Sequence, residues 1–402
     1  MKYDLVFEGG GSKGIVLVGA YEVFSEQGHT FGRLLGTSAG AITAALLAAG
    51  YSAPELLEVL TERENGKPVF AGFLGEPAPF DQATIEQSAI RALLRDIDFT
   101  FIPNGIENRL DDQLTMTLGT NPRFRNIFAF VERGGWFSAD RFVTWMQDKL
   151  DTGQFQGQPR RFSQVTFSEF YAETQVDLSL TASDTTGGQL LVLNHRTAPR
   201  CPLLWAVRMS MSIPLLWNEV IWAAEWGPYQ GRDITGHTIV DGGMLSNFPI
   251  ELFISDAPRV TRLMGPKQNV PVLGLLIDES QMVQRPSSRG PLVNVNIDPY
   301  ELRTVHRIMR LVNTITTAHD KMIIDDFRHM VVKLPAGGYG TTEFDLSDAD
   351  RDALVEAGRR GMQNYFSNPP QPIAVPRGSA QAEAEHASRV ADEIATHILE
   401  PR

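Results

Sequence analysis

Residues 36–40, Gly-Thr-Ser-Ala-Gly, have types and a spacing that suit nucleophilic acyl chemistry. In a Gly-x-Ser-x-Gly nucleophile elbow, a strained turn from a strand into a helix exposes the serine hydroxyl. The glycines at either end, Gly36 and Gly40, leave room for the tight bend and for a substrate. A glycine-rich turn in which Ser38 only caps a helix would show the same pattern. The strand before it and the alanine-rich helix after it favour the elbow.

Residues 9–14, Gly-Gly-Gly-Ser-Lys-Gly, form a second candidate site. Backbone N–H groups of such a loop can turn inward and hold a phosphate or a developing oxyanion. A P-loop would have Lys and Ser or Thr directly after its last glycine, but Gly14 is followed by Ile15 and Val16. A dinucleotide site would have an acid at the end of the second strand, which here ends at Leu35. The pattern therefore argues against nucleotide binding.

Residues 241–243, Asp-Gly-Gly, are by themselves a common turn signal. In company with Ser38, Asp241 could serve as a general base. An ordinary aspartate with a pKa of about 3.9 is a weak base, so such a site would depend on oxyanion stabilisation. Chain order disfavours a Ser38–Asp241–His306 triad of the α/β-hydrolase kind, because only 37 residues precede Ser38. His237 could be a bystander or a base.

Hydrophobic periodicity predicts the elements that must position these residues. Strands are expected over 3–8 and 31–35, each followed by a glycine-containing turn and a helix, over 15–27 and 41–49. Two such units in 50 residues favour a parallel sheet covered on both faces. Residues 51–175 mix short helical patterns with loops, which suggests an inserted cap region.

The rest of the chain alternates strands and helices. Further strands are expected over 177–182, 189–193, 238–240, 272–277 and 330–334, and a loop over 281–291. Further helices are expected over 203–211 and 300–327, from the capping residue Ser347, and over 380–399 after a proline-containing linker.

Composition limits the classes of function. The 402 residues are 43% hydrophobic and 21% charged, which is typical of a folded globular protein. A formal net charge of −12 disfavours nucleic-acid partners. Cys201 is the single cysteine, so an intrachain disulfide and a cysteine zinc site are excluded. Neither a signal peptide nor a transmembrane run is visible, so we expect a cytoplasmic protein, with signal-independent export left open.

Taken together and in this order, the three motifs resemble the signatures of the patatin-like phospholipase family. Three further segments are similar to the family: 208–214, where Met209 replaces the usual alanine, 247–249 (Asn-Phe-Pro) and 135–138 (Gly-Trp-Phe-Ser). The likeness covers residues 4–255 and extends to about 335.

The resemblance implies an α/β fold, a three-layer α/β/α patatin-like domain over 1–335 with a central, mostly parallel sheet. The inserted helical region over 51–175 would follow the second strand–helix unit, and 336–402 would be a C-terminal helical extension.

The resemblance also implies site residues. Ser38 would be the nucleophile and Asp241 the base of a dyad without histidine, and the oxyanion hole would come from the amides of Gly9, Gly10 and Gly11. Lys13 would anchor the loop or contact substrate. The remaining motif positions are Gly14, Gly36, Gly40, Gly242 and Gly243. No metal and no cofactor are implied.

The implied function is that of a lipid acyl hydrolase of phospholipase A type, acting through an acyl-serine. An acyl-thioesterase or acyltransferase with the same dyad, and a non-catalytic lipid-binding module, are the alternatives. The partner would be a phospholipid or other fatty-acyl ester, with contact to a membrane being peripheral and the oligomeric state open. Apolar residues near the third motif could line an acyl-chain mouth or belong to the core: Ile213, Leu215, Leu216, Trp217, Trp222 and Trp226.

Overall fold

The structure is a computed structural model that describes residues 1–96, 113–117, 119–121, 124–286, 326–370 and 380–399. Within these residues the strands are β1 Lys2–Phe7, β2 Thr30–Gly36, β3 Arg63–Glu64, β4 Lys67–Pro68, β5 Gly135–Phe137, β6 Gln154–Phe155, β7 Gln158–Pro159, β8 Leu178–Asp184, β9 Gln189–Leu193, β10 Leu215–Trp217, β11 Val220–Ile221, β12 Thr238–Asp241, β13 Val272–Met282 and β14 Val331–Gly337.

Eight of these strands form the central sheet. Its order is β11-β12-β8-β2-β1-β13-β14, with β9 paired to β8. The five strands from β8 to β14 pair in parallel, whereas β9, β11 and β12 add antiparallel pairs at one side. Phe7 lies opposite Gly36, so the two glycine-rich loops leave the sheet at the same edge. This mixed, mostly parallel sheet confirms the predicted α/β class.

The helices cover the two faces of the sheet. In chain order they are α1 Ile15–Glu26, α2 Ala39–Ala48, α3 Ala53–Thr61, α4 Gln82–Glu86, α5 Ala89–Asp96, α6 Arg125–Arg133, α7 Asp140–Asp151, α8 Phe167–Thr174, α9 Leu203–Ser210, α10 Glu251–Ile254, α11 Pro258–Met264, α12 Asp348–Ser367 and α13 Ala380–Leu399. Short 3₁₀ turns follow the site strands over Gly11–Gly14 and Gly242–Met244.

Side chains of the strands alternate between two apolar cores. Phe7 and Leu34 belong to the core under α1, α2, α3, α9 and α12, whereas the neighbouring Val6 and Leu35 belong to the core under α10, α11 and α13. This period of two is what a sheet buried on both faces requires. The arrangement therefore has the three predicted layers, helix, sheet and helix.

Several predicted boundaries change. Strand β13 continues to Met282 because that residue pairs with Gly337, so the loop predicted from residue 281 begins later. The helix predicted over 300–327 lies outside the described residues except for its last two positions, and His306 lies outside them as well. The predicted domain boundary at 335 falls within β14, and the division of the chain there stays a prediction.

None of the described helices has both the length and the apolar character that crossing a bilayer demands.

Candidate active site

Ser38 occupies the turn between β2 and α2. Its backbone has φ 52° and ψ −119°, a left-handed conformation that a non-glycine residue adopts only under strain. The Ser38 amide donates a hydrogen bond to Ser210 Oγ at 3.0 Å, and α2 begins at the next residue. The side chain is 6% exposed. This geometry is that of a nucleophile elbow, in which the strained turn presents the hydroxyl at the head of a helix.

Asp241 ends strand β12 and is also buried, with 5% exposure. Its amide donates to the Ser212 carbonyl at 2.9 Å, and its Oδ1 accepts the Gly243 amide at 2.7 Å. Burial raises the pKa of Asp241 from its usual 3.8 to about 7, and interactions with the Ser38 hydroxyl and the Gly243 amide lower it only in part.

The Ser38 hydroxyl influences the pKa of the Asp241 carboxyl, so the two side chains are neighbours, and the dyad itself stays a prediction. The second carboxyl oxygen, Oδ2, is buried and has no hydrogen bond of normal geometry within the described residues. Among the described residues, Asp241 Oδ2 therefore accepts no hydrogen bond from Ser38. Catalytic hydrogen bonds are often long in a free enzyme and shorten when substrate binds.

The first glycine-rich loop is joined to the Asp-Gly-Gly segment by Asn247. The Asn247 side-chain amide donates to the Gly9 carbonyl at 2.9 Å and to Glu8 Oε1 at 3.2 Å, while the Gly9 amide donates to the Asn247 carbonyl at 3.3 Å. The Gly9 amide is therefore occupied. Over the described part of the chain, the amides of Gly10 and Gly11 donate to no protein acceptor, so these two are the ones available to an oxyanion.

Gly11 has a conformation that explains its residue type. Its φ is +55°, and a Cβ there would collide with the carbonyl of Thr341. The same carbonyl accepts the Ser12 amide at 2.9 Å, and Ser12 Oγ donates to the Gly340 carbonyl at 2.7 Å. The loop is therefore fixed by hydrogen bonds to the segment 340–341, more than 300 residues away in sequence.

Lys13 is buried and forms an ion pair with Glu279 of β13. It is absent from the described residues that line the cleft beside Ser38. Of the two roles considered for Lys13, the structure favours anchoring of the loop over contact with substrate.

An apolar cleft opens beside Ser38, with an empty volume of about 750 Å³ counted together with its open mouth. Besides residues of the glycine-rich loop, α1 and α2, its walls come from three further parts of the chain. The segment over 60–73 contributes Leu60, Pro68, Phe70 and Phe73, the segment before Asp241 contributes Met211, Ile213 and Trp217, and the segment over 343–351 contributes Glu343, Phe344, Leu346 and Arg351. Such a cleft, mostly apolar with a few polar groups, is typical of a small-molecule site.

Of the apolar residues proposed to line an acyl-chain mouth, some line the cleft and others belong to the core. Ile213 and Trp217 line the cleft, and Trp217 Nε1 donates to the Phe73 carbonyl at 2.9 Å. Trp222 and Trp226 instead pack on each other in the core, 5.6 Å apart between ring centroids. Leu215 and Leu216 are not among the described lining residues.

Histidine near the site has a different partner. His237 Nδ1 lies 2.9 Å from Asp184 Oδ2. His237 therefore pairs with Asp184 and not with Asp241. Neither His237 nor Asp184 lines the cleft within the described residues. The structure favours the bystander role for His237.

Sequence reasoning missed three contributors to the site. Ser210 orients the Ser38 amide, Asn247 joins the two loops, and the segment from Gly340 to Arg351 closes the cleft. Ser210 and Asn247 stand in segments already noted as family-like, and that was the available signal. No local pattern marks residues 340–351, because their role depends on a contact across the whole chain.

Comparison with known proteins gives a family match and a relative of similar length. A sequence model of the patatin-like phospholipase family matches residues 5–254. The uncharacterized protein YqhO of Bacillus subtilis (strain 168) is 29% identical over 373 residues, which cover 91% of this chain and 98% of that protein.

Solved structures with a similar outline include two bacterial proteins. VipD from Legionella pneumophila has a TM-score of 0.47 at 15% identity, covering 98% of this chain and 75% of that one. The type III effector ExoU, from Pseudomonas aeruginosa, has a TM-score of 0.38 at 16% identity, covering 92% of this chain and 53% of that one. Because the family match extends over more than half of the chain and includes all three motifs, the protein belongs to the patatin-like phospholipase family, a family of lipid ester hydrolases.

Proposed function

We propose that the protein is a lipid acyl hydrolase of phospholipase A type that works through a Ser38–Asp241 dyad. The observation that carries the proposal is a strained serine that precedes α2 and lines an apolar cleft, together with a buried aspartate whose pKa the serine hydroxyl influences. Neither residue has a reason to be buried in this arrangement for stability alone, since strain at Ser38 and a buried carboxyl both cost folding free energy.

The acylation step follows from the positions of these groups. Asp241 accepts the Ser38 proton as Oγ attacks the ester carbonyl, and the amides of Gly10 and Gly11 donate to the oxyanion that forms. When the tetrahedral intermediate collapses, the C–O bond to the leaving alcohol breaks and Asp241 returns its proton to that alcohol. The acyl group remains on Ser38 as an ester.

Deacylation repeats the steps with water. Asp241 takes a proton from a water molecule, which attacks the acyl-serine carbonyl, and the fatty acid leaves as Ser38 Oγ regains the proton. A base that acts without histidine works best when its pKa is near the working pH. The raised pKa of Asp241, about 7, supports this role.

The test is hydrolysis of a short-chain ester and of a phospholipid by wild type, Ser38→Ala, Asp241→Asn and His237→Gln. We expect Ser38→Ala to lose turnover and fluorophosphonate labelling, and Asp241→Asn to lose about 10²–10⁴-fold in kcat. His237→Gln is the matched control, because it removes an Asp–His pair that lies outside the cleft, and it should retain activity. Full activity in Asp241→Asn together with loss in His237→Gln would refute the dyad.

A substrate panel separates this proposal from its alternatives. Phospholipid, lysophospholipid and acyl-thioester are compared under the same conditions, with and without an added acceptor alcohol. Preferred cleavage of the thioester, or transfer to the alcohol in place of hydrolysis, would favour a thioesterase or an acyltransferase. Binding of lipid without turnover of any of these substrates would favour a lipid-binding module.

A further inference from the structure

A buried arginine with unused hydrogen-bond donors faces the same cleft. Arg351 lies in the first turn of α12, is 6% exposed and lines the cleft together with Ser38. Its Nη2 pairs with Asp348, but Nε and Nη1 are buried and have no hydrogen-bond partner within the described residues. These two nitrogens carry three of the five N–H donors of a guanidinium.

The unused donors need an explanation, because a buried donor without an acceptor destabilises the folded protein, and a charged donor does so more strongly. The group is also difficult to neutralise, since arginine stays protonated in proteins. A ligand acceptor would remove this cost.

Arg351 shares its ion-pair partner with a second arginine. Asp348, its one ion-pair partner among the described residues, is an exposed carboxylate that also pairs with Arg63. The acid that lines the cleft, Glu343, is already held by Arg285 at 2.6 Å and by the Gly340 amide at 3.1 Å. Two guanidinium groups therefore share one solvent-screened carboxylate.

The other acids near this turn do not supply the missing acceptor. Asp350 accepts a hydrogen bond from Ser347 Oγ at 2.7 Å and lies close to Tyr339, whose pKa it helps to raise. Burial and the neighbouring Arg63 lower the pKa of Arg351, whereas Asp352 raises it. No described residue therefore accepts a hydrogen bond from Nε or Nη1 of Arg351.

We infer that Arg351 binds the phosphate of a glycerophospholipid substrate while the acyl ester lies at Ser38. The inference rests on the proposed function and adds the residue that binds the phosphate of its substrate. A phosphate offers several charged acceptors to one guanidinium, which makes arginine well suited to it. The apolar lining, including Phe70, Phe344 and Leu346, would contact the acyl chain of the same molecule.

The experiment compares two esters that differ only in the phosphate, a lysophosphatidate and a monoacylglycerol that both carry one decanoyl chain. Arg351→Gln should lower the ratio of kcat/KM for the phosphate-bearing ester to that for the neutral ester by at least tenfold, which is the range of a hydrogen bond to a charged group. Arg359→Gln is the control, because Arg359 lies on the same helix but pairs with Glu22. A ratio unchanged from wild type in Arg351→Gln would overturn the inference.

A second measurement does not depend on turnover. Calorimetry records binding of glycerol phosphate and, separately, of inorganic phosphate to Ser38→Ala and to the double variant with Arg351→Lys, which keeps the charge but loses donors. Weaker binding of glycerol phosphate in the double variant supports the inference. Binding of inorganic phosphate alone, or equal binding in both proteins, overturns it. If wild type cleaves neither ester, the proposed function has failed, and calorimetry still decides whether Arg351 binds phosphate.

Discussion

At the level of single residues, the site combines an aspartate whose pKa is raised with a serine whose backbone conformation is strained. Burial raises the pKa of Asp241 to about 7, so that near neutral pH a large fraction of this carboxyl is protonated. Only the ionised form can accept the Ser38 proton. The environment that makes Asp241 a stronger base also makes activity sensitive to pH.

We therefore predict that kcat/KM for a neutral ester rises with pH, with a midpoint near 7 set by the pKa of Asp241, and then becomes constant. A pH series with monoacylglycerol, whose own charge does not change, measures it. A profile already constant from pH 5 upwards would show that Asp241 is not the group whose ionisation limits the rate.

The same pKa predicts a dependence of stability on pH. Since the folded-state pKa lies above the unfolded one, the contribution of Asp241 to stability is fully present below about pH 4 and is lost as the pH rises through 7. Asp241→Asn, which cannot ionise, should therefore gain stability over wild type as the pH rises from 4 to 7, by up to about 4 kcal/mol. Urea unfolding of both proteins at pH 4 and pH 8 measures this. An equal stability difference at the two pH values would contradict it.

At the level of elements, the site depends on loops held from two sides. The glycine-rich loop after β1 is tied to the Asp-Gly-Gly segment through Asn247 and to the chain after β14 through Thr341. An oxyanion hole works only when its donors are already in place before the reaction. The contacts of Asn247 are therefore expected to matter for rate more than for binding.

We predict that Asn247→Ala lowers kcat about 10²-fold with a smaller change in KM, because the Gly10 and Gly11 amides would lose their fixed position. Steady-state kinetics with one ester measures the two constants. Asn364→Ala, at an exposed position of α12, is the control and should match wild type. A rise in KM with constant kcat would instead place Asn247 in substrate binding.

At the level of the whole molecule, the two faces of the sheet have different tasks. The face under α1, α2 and α12 holds the cleft, whereas α13 covers the opposite core with Ala391, Ala395 and Leu399. Asp392 of α13 also accepts the amides of Asp256 and Ala257 at 2.9 and 3.0 Å. The terminal helix therefore stabilises the fold at a distance from the chemistry.

Truncation after Pro370 should accordingly lower the thermal midpoint by several degrees or more, because the apolar surface under α13 becomes exposed. Activity per folded molecule should stay within about twofold of wild type, since no described residue of α13 lines the cleft. Scanning calorimetry and an ester assay below the transition measure both quantities. Loss of kcat in a fully folded truncated protein would show that α13 acts on the site.

Much of the site could be predicted from local sequence, for physical reasons. The elbow around Ser38 and the glycine-rich loop are short segments whose backbone conformations, such as the positive φ of Gly11, limit the residue types that can occupy them. Two strand–turn–helix units in the first 50 residues favoured a sheet covered on both faces, and the structure confirmed it.

Only the tertiary structure decided which distant groups meet and in what environment. Asp241 follows Ser38 by about 200 residues, and its raised pKa arises from burial, which no local pattern encodes. The Gly9 amide is occupied because it donates to the Asn247 carbonyl, and this contact is visible only in the tertiary structure. Arg351 carries no sequence signal at all. It reaches the cleft because α12 packs on α1, and a contact of that kind depends on the packing of the whole chain and not on nearby residues.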